Sequence, residues 1–418
     1  FIDLVAILDR VRSELKLPIV LEGYPPASGR VLAKITVTPD PGVLEVNIPP
    51  SETSESYVEL MQTVYDAGLH AGLHTEKHLL DGRQAGSGGG HHLTFGGPTA
   101  LESPFVNRPE LLASLITFLQ HHPSLSYMFT GLFVGPTSQA PRIDEARHDQ
   151  LHEIEIALAH AFRQAGQASA PWLGDMLFRD LLVDVTGNGH RTELSIDKLF
   201  DWRTPVGRQG LVEFRAIEMP PHPRMAVAQM LLMRSLLAAL AERPYAERLV
   251  RWGAGLHDKF LLPYWMWQDF EDVLAFLEGH ELGMDAEFFR PFVELRCPLV
   301  GQLQTRDVEL ELRNAIEPWN VLGEEPSGGG TSRYVDSSVE RIELRARGLV
   351  PERHAVLVNG QILTLRPTEH EDLWVAGVRF RAWAPPHSLH AHLGIHHPLH
   401  FDVVDRWARR SLGACTYH

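Results

Sequence analysis

A glycine-rich run constrains the fold of this chain more than any other segment. Four of the five residues from Gly86 to Gly90 are glycines, and His91 and His92 follow directly. Glycine loses more backbone entropy on folding than any other residue, so an ordered run needs a reason such as close approach of the backbone to a ligand. A flexible linker is the alternative interpretation, although a solvated linker gains nothing from adjacent histidines.

Charge and hydropathy limit the partners of the chain. Its 418 residues are enough for two or three domains, and its formal net charge is −15. The absence of any block of basic residues argues against nucleic-acid backbones and anionic membrane surfaces. Apolar runs such as residues 236–240 are far shorter than the roughly 18 residues of a membrane span. We therefore expect neither a nucleic-acid partner nor a membrane partner.

Cysteine content and chain ends bear on the cellular context. Two cysteines, Cys297 and Cys415, are too few for a disulfide framework, which favours a reducing cytoplasm. The sequence begins at Phe1 without an initiating methionine and stops abruptly at His418. We expect the chain to be part of a longer protein.

Apolar periodicity predicts helices and strands in mixed order. Helical spacing occurs at residues 1–16, 54–71, 108–120, 150–164 and 226–241. Strand-like patterns occur at residues 19–21, 33–38, 43–48, 190–196 and 211–217. Because the two kinds of element do not alternate strictly, the pattern favours an α+β fold over a doubly wound parallel sheet.

A second glycine-rich segment predicts the domain organisation. Residues 326–332, which contain Pro326, Ser327 and three successive glycines, have the composition of a Gly/Ser linker. Strand-like alternation resumes beyond it at residues 339–346, 355–358, 362–365 and 375–383. We therefore predict one domain over residues 1–325, a linker over 326–332, and a small β-rich C-terminal module over 333–418.

Several familiar motifs do not fit. The glycine run lacks the Lys-Ser/Thr of a P-loop and the spacing of a dinucleotide fingerprint. His74, Glu76 and His78 do not follow the His-Glu-x-x-His order of zinc peptidases. Ser87 is preceded by Ala85-Gly86 rather than by the glycine pattern of a nucleophile elbow. The ordinary nucleotide, zinc-peptidase and serine-hydrolase interpretations are therefore disfavoured.

Acidic residues and arginines recur on the predicted strands and loops. Carboxylates are the ligands that hard cations such as magnesium require, and the candidates are Glu45 with Asn47 on one strand face, Glu76, Glu193 and Glu213. Arginine presents paired donors to phosphate or carboxylate oxygens, and the candidates are Arg142, Arg147, Arg191 and Arg215. Taken singly, each residue is as well explained by solvent exposure or by an ion pair, as between Arg147 and Asp144 or Glu145.

The order of these residues resembles a known layout. Glu45 with Asn47, then Glu76, then the glycine run with its histidines, and later Glu213 and Arg215 before a long helix are similar to the glutamine synthetase and glutamate-cysteine ligase superfamily. In that superfamily, acidic strand residues and a histidine after a glycine-serine-glycine loop hold divalent metals.

More closely, the whole chain resembles bacterial amidoligase domains that accompany transglutaminase-like domains in longer proteins. The resembling stretches are residues 37–42, 135–142, 196–199, 218–225 and 333–341. The pattern of that family has an asparagine at the position of His91, so the resemblance implies that His92 is the metal ligand.

The resemblance implies a glutamine-synthetase-like antiparallel sheet flanked by helices, and an ATP-dependent ligase. ATP would phosphorylate a small-molecule or peptide carboxylate, and an amine would displace the phosphate to leave an amide. The implied ligands of magnesium or manganese are Glu45, Glu76, His92, Glu193 and Glu213. The implied ATP contacts are Asn47, Ser87, Gly88, Gly89 and Gly90, and the implied phosphate or substrate contacts are Arg142, Arg147, Arg191 and Arg215.

The resemblance also implies a transglutaminase-like domain in the same longer chain, and an oligomer is consistent with the superfamily. Two other functions stay open on the sequence. One is a non-catalytic, peptide-binding scaffold that serves the transglutaminase-like domain. The other is metal-dependent hydrolysis of amides without a nucleotide.

Overall fold

A computed structural model describes residues 1–24, 26, 34–40, 42–79, 82–327 and 330–418. The chain divides into two compact units, Phe1–Thr53 and Ser54–His418. This division differs from the predicted one, which places a linker at residues 326–332. The predicted domain organisation stays a prediction.

The first unit contains one helix and one hairpin. Helix α1 (Ile2–Leu15) ends where Lys16 adopts a left-handed conformation, so the helix predicted over 1–16 is confirmed. Strands β1 (Thr36–Asp40) and β2 (Val43–Asn47) pair in antiparallel fashion, with Thr38 opposite Glu45. Residues 19–21 have no strand, so that prediction is wrong. A three-residue apolar run forms a strand only where a neighbour pairs its backbone groups.

Eleven of the twelve α-helices in the described residues lie in the second unit. They are α2 (Ser54–His70), α3 (Pro104–Asn107), α4 (Pro109–His121), α5 (Ser124–Tyr127), α6 (Ile143–Ala146), α7 (His152–Arg163), α8 (Leu173–Phe178), α9 (Pro223–Glu242), α10 (Gly255–Phe260), α11 (Pro263–Glu278) and α12 (Arg290–Arg296). Two short 3₁₀ helices lie at Ala100–Glu102 and Ala286–Phe288. The helices predicted at 54–71, 108–120, 150–164 and 226–241 are confirmed as α2, α4, α7 and α9.

Two long helices, α4 and α9, form much of the helical core. Each begins with a proline in its first turn, where the missing N–H costs nothing. All residues of α4 except His121 are buried. Within the described residues, α9 is the one helix long and apolar enough to cross a membrane, but 44% of its 18-residue apolar window is buried inside the protein. Because a buried core helix passes the same test, this is weak support for a membrane span.

Two small sheets lie between the helices. Strands β3 (Glu76–His78) and β4 (Gln84–Gly86) form a hairpin at the start of the glycine run. Strands β5 (Leu93–Phe95), β6 (Leu194–Ser195) and β7 (Val212–Phe214) form an antiparallel sheet in the order β5-β7-β6. The last two are shorter than the strands predicted at 190–196 and 211–217.

The C-terminal part of the second unit is rich in strands. They are β8 (Leu299–Gln304), β9 (Glu309–Ala315), β10 (Asn320–Ser327), β11 (Gly330–Asp336), β12 (Val339–Arg347), β13 (His354–Val358), β14 (Gln361–Ile362), β15 (Arg366–Pro367), β16 (Leu373–Arg381), β17 (Leu399–Asp405) and β18 (Arg410–Tyr417). A five-stranded sheet, β15-β16-β12-β9-β8, and a four-stranded sheet, β14-β13-β17-β18, share one apolar core. We call this pair of sheets the C-terminal sandwich.

Strands β10 and β11 flank the centre of the predicted linker and pair in antiparallel fashion from Asn320 opposite Asp336 to Ser327 opposite Gly330. Residues 328–329 fall outside the described residues, so the linker stays a prediction. The sandwich strands also begin at Leu299, before the predicted start of the β-rich module at residue 333. The fold is therefore mixed α and β with antiparallel sheets, as predicted.

Candidate active site

One face of the β5-β7-β6 sheet carries polar side chains. Thr94 and Ser195 both lie opposite Glu213 in the strand register, and alternate residues of a strand face the same side. The opposite face carries Leu93, Leu194 and Phe214, which are buried. Three residues that flank these strands also lie on the polar face by the same alternation. They are His92, Glu193 and Arg215. The hydrogen bond from Arg215 N–H to Glu193 O, 2.8 Å long, extends the register to that pair.

Glu213 is the centre of this polar face. Its buried carboxylate lies 3.2 Å from His92 Nδ1, 2.7 Å from Arg215 Nη1 and 3.3 Å from Lys198 Nζ. Burial alone would raise the pKa of Glu213, but the hydrogen bond with His92 and the charges of Arg215 and Lys198 lower that pKa to about 2. The side chains of His92 and Lys198 are 30% and 42% exposed, so a ligand can reach the cluster from solvent.

The two histidines after the glycine run have different surroundings. The buried His91 ring has Gln229 Oε1 at 2.7 Å from Nδ1 and the Tyr57 hydroxyl at 2.8 Å from Nε2. An amide oxygen only accepts hydrogen bonds, so Nδ1 carries the proton and Nε2 accepts from Tyr57. Burial lowers the pKa of His91 to about 4. Both ring nitrogens are therefore engaged in the core, whereas His92 contacts Glu213.

The glycine run closes around the carboxylate of Glu218. A Cβ atom on Gly86 would lie 2.5 Å from Glu218 Cδ, and one on Gly131 would lie 2.8 Å from Glu218 Oε1. The backbone N–H of Gly88 donates to the same carboxylate, and Gly90 forms a bridge with Glu218. Burial raises the pKa of Glu218, and the charge of Arg296 opposes that rise. The close backbone approach predicted from the glycines is thus made to a carboxylate of the protein itself.

Other predicted members of this loop have local roles in the fold. Ser87 Oγ accepts a hydrogen bond from Gly89 N–H at 3.1 Å. A Cβ atom on Gly90 would collide with the His92 ring, so glycine at this position lets the imidazole lie over the backbone. The predicted contacts of Ser87 and Gly88–Gly90 with ATP stay predictions.

Arg142 lies in a different, fully buried network. Its Nε and Nη2 donate hydrogen bonds to Oδ1 and Oδ2 of Asp144 at 3.0 and 2.9 Å. The other donors contact Leu119 O, Gln120 O and Ser126 Oγ at 2.7 to 3.0 Å. All five N–H groups of the guanidinium are therefore used inside the protein. The contact of Arg142 with phosphate or substrate stays a prediction.

Glu193 joins the polar face to that network. Ser126 Oγ donates to Glu193 Oε2 at 2.6 Å while accepting from Arg142. Burial raises the pKa of Glu193 to about 7, although the charge of Arg142 and the bond from Ser126 oppose the rise. Glu193 also lines a very small cavity whose other walls include Ile116, Leu119 and Leu194. The hydrogen-bond partner of its buried carboxyl group is Ser126.

The other predicted residues of the second unit have partners of their own. Arg147 pairs with Glu153, and Arg191 pairs with Glu324 of β10 at 3.0 Å. Glu76 is exposed on β3 and accepts a hydrogen bond from Gln84 Nε2 at 2.7 Å. Glu45 and Asn47 lie exposed on β2 of the first unit.

The donor set determines which ligands suit the polar face. In the part of the chain that the structure describes, no three His, Cys, Asp or Glu side chains are grouped to hold a metal ion. His92 and Glu213 are two adjacent donors for a divalent cation, but the Glu213 oxygens already contact Lys198 and Arg215. Those two cations suit phosphate or carboxylate oxygens of a ligand. His92 and Glu213 are the donors that would hold a metal at this face, and magnesium or manganese here stays a prediction.

Sequence reasoning missed three contributors, Thr94, Ser195 and Lys198, and also Glu218 beneath the glycine run. Strand alternation was a usable signal for the first two, since they lie two residues from His92 and Glu193. Lys198 and Glu218 had no signal beyond their place in the stretches 196–199 and 218–225.

Comparisons with known proteins place the whole chain in one group. A family model described as "Putative amidoligase enzyme (DUF2126)" matches residues 1–418. No curated protein and no solved structure matches the chain.

Proposed function

The chain belongs to the DUF2126 amidoligase family, and we propose that it is an ATP- and magnesium-dependent ligase that joins a carboxylate to an amine. The observation that carries the proposal is the ionised Glu213 held among His92, Lys198 and Arg215 on one face of the β5-β7-β6 sheet. This cluster combines cations for anionic substrates with donors for a metal.

The proposed reaction has two steps. An oxygen of the substrate carboxylate attacks the γ-phosphorus of ATP, and ADP leaves to give an acyl phosphate. The amine nitrogen then attacks the acyl carbon, loses a proton, and displaces phosphate. The released phosphate retains the oxygen that came from the carboxylate, and an amide remains.

In the first step, negative charge gathers on the transferred phosphoryl group and on the leaving ADP. Lys198 and Arg215 would offset this charge, and their N–H groups directed at Glu213 on the polar face support that role. Magnesium, when held by His92 and Glu213, would add further positive charge beside the phosphates. Glu213 also keeps both cations oriented between turnovers.

The proposal is tested by the fate of an oxygen atom. The full chain is incubated with ATP, magnesium and panels of ¹⁸O-labelled carboxylates and amines. An acyl phosphate moves one ¹⁸O from the carboxylate into inorganic phosphate, which mass spectrometry detects. Glu213→Gln should abolish this transfer, whereas Glu287→Gln, an exposed glutamate paired with Arg290, should not.

Two results would contradict the proposal. Phosphate without label would exclude an acyl phosphate, and equal transfer in Glu213→Gln would place the site elsewhere. Calorimetry distinguishes the scaffold alternative, because peptide binding without any binding of ATP and magnesium favours it. Amide hydrolysis with no ATP consumed would favour the hydrolase alternative.

A further inference from the structure

Three arginines from separate turns meet in a cleft at the C-terminal sandwich, and the proposed ligase site does not use them. Arg306 lies in the β8–β9 turn, Arg353 just before β13, and Arg410 at the start of β18. The cleft has a volume of about 520 Å³, and its other lining residues are Asp307, Ser411 and Leu412. That volume lies within the range of small-molecule sites. None of these residues belongs to the β5-β7-β6 sheet.

Arg353 is fixed in place by its neighbours. Its Nε and Nη2 lie 2.9 and 2.8 Å from Asp405 Oδ2, and its guanidinium lies 5.9 Å from the centroid of the Trp407 ring. Asp405 also accepts hydrogen bonds from the backbone N–H groups of Trp407 and Ala408 at 3.0 and 2.9 Å. The Asp405 carboxylate is therefore fully used in holding this corner of the cleft.

The other two arginines lack such compensation. Among the described residues, the ion pairs of the cleft involve Arg353 with Asp405 and Asp307, and none involves Arg306 or Arg410. Of the described residues that line the cleft, three carry guanidinium groups and one, Asp307, is acidic. Like charges brought together repel each other, and this concentration of positive charge stands out in a chain of net charge −15. A bound anion would relieve the repulsion.

We propose that this cleft binds a small polyanion, a molecule with two or more phosphate or carboxylate groups. Guanidinium groups match both kinds of oxyanion because their paired N–H donors fit two oxygens at once. Three of them, supplied by separate turns around one volume, suit several oxyanion groups better than a single one. The site is distinct from the polar face of the β5-β7-β6 sheet.

Calorimetry on the full chain at fixed ionic strength tests the proposal, with pyrophosphate and citrate as separate probes. The two probes distinguish a phosphate ligand from a carboxylate ligand. We expect a Kd below about 1 mM for at least one probe. Arg306→Gln and Arg410→Gln should each weaken binding about tenfold, and the double variant about a hundredfold. Both residues are exposed, so the thermal unfolding temperature should not change.

Arg366→Gln is the matched control, because Arg366 is an exposed arginine of β15 in the same sandwich but outside the cleft. An equal loss of binding in this control would show that general charge, not the cleft, attracts the probe. Unchanged affinity in the double variant, or no binding of either probe to the wild type, would overturn the proposal. Labelled phosphate release should be normal in the cleft variants, so this test is independent of the proposed ligase activity.

Discussion

The carboxyl carbon of Glu218 lies 2.5 Å from the position that a Cβ atom on Gly86 would occupy. No side chain fits between the β4 strand and this carboxylate, since real Cβ atoms do not approach carbon so closely. Gly131 meets the same carboxylate from another segment, at 2.8 Å from Oε1. Glycine is therefore needed at these two positions because the Glu218 carboxylate is buried against their backbone. The backbone N–H of Gly88 also donates a hydrogen bond to that carboxylate.

Gly86→Ala should destabilise the protein by about 1 to 3 kcal/mol, the usual cost of forcing extra atoms into a packed site. Urea denaturation measures the change. Gly68→Ala is the control, because Gly68 lies inside α2 with nothing within 4 Å of its Cβ position. That change should be neutral or stabilise by up to about 1 kcal/mol.

The effect of Gly86→Ala should depend on Glu218. In a Glu218→Ala background the colliding carboxylate is gone, so Gly86→Ala should cost much less than in the wild type. A double-mutant cycle by urea denaturation gives the coupling free energy, expected at about 1 kcal/mol or more. If the stability changes of Gly86→Ala and Glu218→Ala were strictly additive, the Glu218 carboxylate would not be the group that excludes a side chain at position 86.

Local patterns predicted the long elements well because those elements depend on their own periodicity. α2, α4, α7 and α9 were all predicted within a few residues, as were β12 and β16. α11 was missed although Met266, Phe270, Val273 and Leu277 follow helical spacing and are buried. Its aromatic residues near the start have weaker helix propensity. The short β5, β6 and β7 depend on pairing partners far along the chain, which a single sequence does not reveal.

The candidate site also depends on pairing between strands that are far apart in the chain, so the sequence predicted only part of it. His92, Glu213 and Arg215 converge because strands about 120 residues apart pair in one register. Chemistry alone could not separate Arg215 from Arg142, since both are arginines near carboxylates. What distinguishes them is burial: Arg142 is fully buried and Arg215 is not. Burial of a polar side chain follows from tertiary packing, which residue type and spacing do not fix.

Arg142→Lys should destabilise the fold by roughly 3 to 5 kcal/mol, because a lysine replaces five directed donors with one ammonium group and leaves buried partners unpaired. Arg203→Lys, at an exposed arginine paired with Asp201, should change stability by less than about 1 kcal/mol. Chemical denaturation compares the two. If Arg142 instead contacted substrate, its variant would keep wild-type stability and raise KM.

Glu193 should make stability fall as pH rises. Burial raises the pKa of its carboxyl group to about 7 in the folded state, above the unfolded value of about 4.3. The folded state therefore binds more protons between these values, and the contribution of Glu193 decreases from pH 4.5 to pH 7. Relative to Glu193→Gln, the wild type should lose ~3 kcal/mol over that range. Urea denaturation at pH 5 and pH 7.5 measures the difference, and a constant difference would contradict the assigned environment.

Lys198→Met should strengthen the binding of Mn²⁺ at the polar face. Lys198 Nζ lies 3.3 Å from Glu213 Oε2, so its ammonium charge repels a cation bound at this carboxylate, and replacing the lysine removes that repulsion. His92→Ala should weaken binding because it deletes a donor 3.2 Å from the same carboxylate. Electron paramagnetic resonance of free Mn²⁺ gives the affinities, with a several-fold change expected in each direction. Equal affinity in all three proteins would exclude a metal between His92 and Glu213.

His91 should stay neutral well into the acidic range. Its contribution to the free energy of unfolding should rise with pH, whereas that of Glu193 should fall. Burial lowers the pKa of its imidazole to about 4, below the unfolded value of about 6.5. Between these values the unfolded state binds the extra proton, so the contribution of His91 to stability is present above pH 6.5 and is lost as pH falls towards 4. Relative to His91→Gln, the wild type should lose up to ~3 kcal/mol over that window. Side-chain ¹⁵N spectra provide the direct measurement: the His91 signals should keep the Nδ1–H tautomer from pH 8 to pH 5, with those of an exposed histidine such as His152 as comparison. Protonation of His91 near pH 6.5 would mean that the Tyr57 and Gln229 contacts do not hold in solution.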